Sequence, residues 1–154
     1  MMRSLAISAA LLLAITSATL ARANTDKLDN IAACAGVVLG NGAVDFYLGD
    51  EASFDAAAEF AYAAYLSELL GGKDHSQDEY EMADEILRSN INDIINAYNN
   101  DIFDNEVYEV VVGCYRQLGT QILEKMQTIM MNRDEYQEMI DTSIQTIKRM
   151  LRAG

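Results

Sequence analysis

Seventeen residues from Ile31 to Tyr47, IAACAGVVLGNGAVDFY, hold a single charged side chain, Asp45, and one of the chain's two cysteines. So apolar a stretch has to be surrounded by the rest of the protein, and it dictates what the other segments must cover. Read as a helix, it sets Leu28, Ile31, Ala35, Val38, Gly42 and Phe46 on one face, at the spacing of an element packed into a core. Ala32, Gly36 and Gly40 form a second row at four-residue intervals, where small side chains let a neighbouring backbone approach closely. Asn41-Gly42 between two short apolar runs is also a hairpin signal. The competing expectation is therefore an α+β fold with a short hairpin near residues 37–46. Helix is preferred because every other long segment has helical periodicity and an isolated hairpin is marginal.

The first 23 residues read as a secretory signal peptide: Arg3 begins it, Leu5 to Ile15 are apolar, and Ala21-Arg22-Ala23 is a small-residue cleavage pattern. Cleavage leaves residues 24–154 as one helical domain of 131 residues, enough for a single core. Ile31-Ala32-Ala33-Cys34 looks like a lipid-attachment box, yet three charges separate it from the apolar run, so lipidation is not expected. No later segment is long and apolar enough to cross a bilayer, and no stable membrane insertion is expected after cleavage. The expected location is periplasmic or secreted. In such a compartment the simplest state of Cys34 and Cys114 is one disulfide, closing a loop of 80 residues.

Four further helices follow from periodicity and stop signals. Residues 54–70 are strong helix formers, with Phe54, Ala57, Ala58, Ala61 and Tyr65 inward, Asp55, Glu59 and Tyr62 toward water, and Gly71-Gly72 as the stop. Ser76 and Glu79 make a capping box for a helix over 77–98, with Tyr80, Ala83, Leu87, Ile91, Ile94 and Tyr98 buried. A fourth spans 105–131. Its valines favour strand, but Val107, Val111, Cys114, Leu118 and Ile122 keep helical spacing. Asn132 and Glu135 would start a fifth, ending near Arg152 with Lys148, Arg149 and Arg152 suited to the helix dipole. The expected fold class is all-α, a small bundle of four to five helices closed by one disulfide.

Several chemistries fail on counting. One histidine, His75, cannot supply a di-iron bundle or a typical catalytic zinc site, and there is no C-x-x-C-H for haem. Asp74 to Glu79 are explained by the helix start. Asp101, Asp104 and Glu106 lack the glycine turn and regular spacing of a calcium loop. Met126, Met130, Met131, Met139 and Met150 read as adaptable core packing rather than Cu(I) ligands. No nucleophile elbow is present, and Asp55 with Glu59 marks a solvent face rather than an acid-base pair. No catalytic residue, metal or cofactor is expected, and the chain is read as a non-enzyme.

The formal charge is −13, and removal of Arg3 and Arg22 with the signal takes it to −15. Such a surface repels nucleic acid and anionic membranes and attracts cationic proteins or peptides. Asp78, Glu81, Asp84 and Glu85, opposite the buried stripe of the third helix, are the expected partner-binding residues. The functional expectation is an exported acidic interaction protein, an inhibitor or immunity-type binder of a cationic partner being one form. The alternative is a periplasmic small-ligand carrier with a cavity between the glycine-rich first helix and the aromatic and methionine side chains of the second and fifth.

Overall fold

A computed structural model describes residues 27–71 and 74–154 of the 154. The expected signal peptide at 1–23, and Gly72 of the expected glycine stop, lie outside the described residues. Among the described residues five helices follow one another: α1 (Lys27–Tyr47), α2 (Glu51–Gly71), α3 (Gln77–Asn99), α4 (Asn105–Met131) and α5 (Arg133–Ala153). The fold is all-α, and among the described residues there is no strand.

α1 is the hub. Sixteen of its 21 residues are buried, and α2, α3 and α4 all pack on it. The hairpin alternative fails for a physical reason: Gly42 is small for close packing rather than for turning. A Cβ added there would sit 3.1 Å from the Ala57 Cβ and 3.3 Å from the Phe54 ring, so the residue is where α2 crosses. Gly36 and Gly40 do the same for α3. A Cβ on Gly40 would lie 2.8 Å from the Ile94 Cβ and 2.9 Å from the Ile91 carbonyl oxygen, and one on Gly36 would overlap the Leu87 carbonyl. The row Ala32, Gly36, Gly40 is thus a backbone-to-backbone seat for α3, which makes little close contact with any other helix.

The pairings fix the directions. Gly36 meets Leu87 and Gly40 meets Ile91, so α1 and α3 run parallel, whereas Gly42 against Phe54 makes α1 and α2 antiparallel. Cys34 and Cys114 are joined with Cα atoms 4.8 Å apart, tying α1 to an antiparallel α4. α4 also lies along α2, where Phe60 and Tyr115 rings stack with centroids 5.5 Å apart. α5 returns along α2 and only brushes α4.

The connections are as short as their residues allow. Gly49, at φ 92°, ends α1 in the left-handed conformation, and the Asp50 N–H returns to the Asp45 carbonyl at 2.9 Å. Asp50 then caps α2, accepting from the Ser53 N–H and hydroxyl at 3.0 and 2.6 Å, so α2 begins earlier than the expected Phe54. Ser76 and Glu79 form the reciprocal capping box expected for α3. Asp104 caps α4 through the N–H groups of Glu106 and Val107, which gives that carboxylate a structural reason at the valine-rich start. Asn132 is the exception. Its side-chain amide donates back to the Thr128 carbonyl at 2.9 Å and makes no cap for α5, so the expected second capping motif is absent there.

Several expected placements are corrected. Tyr98, expected inside, is exposed, and Ala97 takes its place in the buried face of α3. Tyr62 of α2, expected to face water, is buried, and so are the polar Ser67 and Glu68. The last two are held by long-range bonds: Gln121 of α4, only 1% exposed, donates to the Ser67 hydroxyl and to the Glu68 carboxylate, each at 3.1 Å. Of the five methionines expected as core filler only Met139 packs against the core: Met126, Met130, Met131 and Met150 are exposed, Met131 by 77%. α4 fully buries no residue beyond Gln121, although Ile122 and Ile129 still pack against the core, and Lys27 of α1 meets Glu124 at 3.0 Å.

α5 is clasped to α2 by Lys148, whose side chain is 8% exposed and lies 2.6 Å from Asp55 and 2.8 Å from Glu51. Asp55 therefore faces α5 and not open solvent, and Lys148 does more than complement the helix dipole. These two hydrogen-bonded carboxylates raise the Lys148 pKa above 10.5, and Lys148 in turn holds Glu51 below 4.5. Raised, the lysine contributes fully below its ordinary value and is lost as pH climbs through the folded one. Lowered, Glu51 contributes fully above its ordinary value and is lost as acid titrates it in the fold. The clasp should hold across neutral pH and weaken at both extremes. Lys148→Met should cost about 1 kcal/mol at neutral pH, since both carboxylates are half exposed and can rehydrate. Urea denaturation measures this, and an unchanged midpoint would show that only the aliphatic stem matters.

Candidate functional site

The acids predicted to bind a partner all reach solvent, but not as one uniform face. Asp78, Glu81 and Glu85 share a narrow arc of α3, and each is exposed. The Gln77 amide donates to Glu81 at 3.1 Å. Asp84 is turned a further step around the helix and is paired with Arg88 at 2.9 Å. α3 carries six acids, Asp78, Glu79, Glu81, Asp84, Glu85 and Asp93, against that one arginine. Burial raises the pKa of Asp93, which lies apart near the far end of the helix.

Asp84 and Arg88 form one wall of a groove of about 460 Å³ between α3 and α5, open to solvent and floored by α2. Tyr62, Tyr65, Leu66 and Leu69 supply the floor, and Thr142 and Thr146 of α5 the opposite wall. Burial first, and the Asp84 carboxylate second, push both floor tyrosines above the ordinary phenol range, so they stay neutral donors at any physiological pH. No residue of α1 lines this groove; Gly36 and Gly40 are filled by α3 and Gly42 by α2. Sequence reasoning missed the groove because it arises from two helices that are each seated elsewhere.

His75 stands at the foot of the acidic arc. Its ring is 1% exposed, with Nδ1 3.1 Å from a Glu79 oxygen and an edge contact to Tyr80, centroids 5.6 Å apart. Glu79 also closes the capping box, accepting from the Ser76 N–H at 3.0 Å, so Ser76 and His75 both serve the helix start. Among the described residues no three His, Cys, Asp or Glu side chains are gathered as a metal site would require. Cys34 and Cys114 are both in the disulfide.

No protein-family model, no curated protein and no solved structure matches this chain.

Proposed function

We propose that the protein is an exported, non-catalytic interaction module of the periplasm or extracellular space that binds a cationic protein or peptide through the outer arc of α3. An inhibitor or immunity-type role is one form this takes. The observation that carries the reading is the exposure of Asp78, Glu81, Asp84 and Glu85 on a helix with a single compensating cation. Like charges so placed repel one another, and a cationic partner relieves the repulsion while the field speeds its approach. The signal-like N-terminus and the Cys34–Cys114 bond support export, and no described helix is long and apolar enough to cross a membrane.

Replacing the four acids by Asn or Gln should leave the fold intact, since exposed substitutions typically change stability by about 0.5 kcal/mol or less each. Capture of the native partner should weaken mainly through a slower on-rate, and the difference should shrink as salt rises. Equal capture of the same proteins at low salt would reduce the acidity to a solvated face. A small-ligand carrier is the second reading, favoured by the groove of about 460 Å³. Mass spectrometry of protein purified from its native compartment would reveal such a ligand.

A further inference from the structure

The groove over α2 is long enough to seat two turns of helix. Its floor runs from Tyr62 to Leu70, nine residues and so eight helical rises, about 12 Å. That length accepts side chains at i, i+3 or i+4, and i+7 of an incoming helix. Leucine, isoleucine and tyrosine side chains line it, and an open trough of this kind suits a laid-in stripe better than an enclosed small molecule. The charges beside it are asymmetric. Asp84 in the wall is neutralised by Arg88, but Glu81, Glu85 and Asp78 continue outward from that wall without a cation of their own on α3. On the α5 side Arg149 is exposed and donates to the Thr146 hydroxyl at 3.4 Å.

We infer that the groove receives two turns of an amphipathic helix of the cationic partner, its apolar stripe on the α2 floor and its basic flank against α3. This rests on the acidic-face reading and adds to it the form of the partner and its orientation. A basic flank turned toward α5 would meet Arg149 together with Glu138, one turn from Thr142, a mixed field that attracts it less than the uncompensated acids of α3.

The test uses synthetic peptides of 18 residues, an arbitrary length of five turns chosen as roughly the least that folds on binding. One carries Leu at i, i+4 and i+7 with a Trp in the same stripe and Lys on one flank. Its counterpart has the same composition in scrambled order. The chain has no tryptophan, so tryptophan emission comes from the peptide alone, and the groove variants assign it to the groove. The striped peptide should shift to the blue on binding and bind at least about tenfold tighter than the scrambled one. Thr146→Phe and Thr142→Phe, filling the groove from the α5 wall, should each remove that advantage while circular dichroism stays unchanged. The variant lacking the four acids should weaken both peptides alike at low salt.

Equal binding of the two peptides, or a full advantage retained by both folded Phe variants, overturns the groove inference. The acidic-face reading survives that result if binding still depends on the four acids. Binding of both peptides that is indifferent to salt and to the four acids overturns the acidic-face reading and the basic half of this inference. A naphthalene sulfonate dye that is displaced by the Phe variants, with no preference between the peptides, overturns the inference in favour of a small apolar ligand.

Discussion

Reduction of the Cys34–Cys114 bond should lower the unfolding free energy by up to about 4 kcal/mol, the largest effect expected of any single covalent change. The bond spans 80 residues, and in the chain-entropy picture a loop of that length restricts the unfolded ensemble by about 4 to 5 kcal/mol. The native state loses little in return. Both half-cystines are buried between α1 and α4, and two thiols there act as small apolar groups. A Cys34→Ala/Cys114→Ala variant should therefore keep the same helical spectrum while its urea midpoint falls steeply. Urea titration of oxidised and reduced protein gives the difference directly. A loss below about 1 kcal/mol would mean that the unfolded chain is already compact around α1.

Gly36→Ala should destabilise by about 2 kcal/mol, although Gly to Ala within a helix ordinarily gains about 0.5 to 1. The added methyl group would overlap the Leu87 carbonyl and approach the Asn90 Cβ to 2.8 Å. Both belong to the packed backbone side of α3, so α3 itself must move outward, and overpacking of this kind costs about 1 to 3 kcal/mol or more. Gly113 supplies the opposite sign. It is exposed in mid-α4 with nothing within 4 Å of an added Cβ, and Gly113→Ala should stabilise. Thermal or urea unfolding of the two variants side by side is decisive: stabilisation by both would refute the close seating of α3 on α1. Because α3 forms a wall of the groove, Gly36→Ala should also blunt the preference for a striped peptide.

The helices were legible in the sequence because their stripes and stop signals agree with one another. The disulfide was legible from the signal-like N-terminus and an even cysteine count. α4 matched its expected limits, Asn105 to Met131, since helical spacing of Val107, Val111 and Cys114 outweighed the strand preference of the valines. Asn41-Gly42 misleads only if a glycine is read as a turn; its neighbours Phe54 and Ala57 show it as a contact. Partners distant in sequence were illegible. Nothing local in YLSELL reveals that Gln121 will draw Ser67 and Glu68 inside, and nothing in the last helix reveals that Lys148 will close on Asp55. The acids of α3 were legible as a wet arc, but the groove beside them depends on where α5 is seated on α2.

That separate seating has a mechanical consequence. α3 is carried by α1 and α5 by α2, while α4 and the disulfide brace the two carriers together. The width of the groove is therefore set by two independent seats. One is made of backbone on backbone, the glycines of α1 against the Leu87 and Ile91 carbonyl groups of α3. The other is made of side chains, an isoleucine stripe and the lysine that bridges Glu51 and Asp55. Substitutions along the inner ridge of α5 can retune the aperture for a thicker or thinner occupant without disturbing the braced trio behind it.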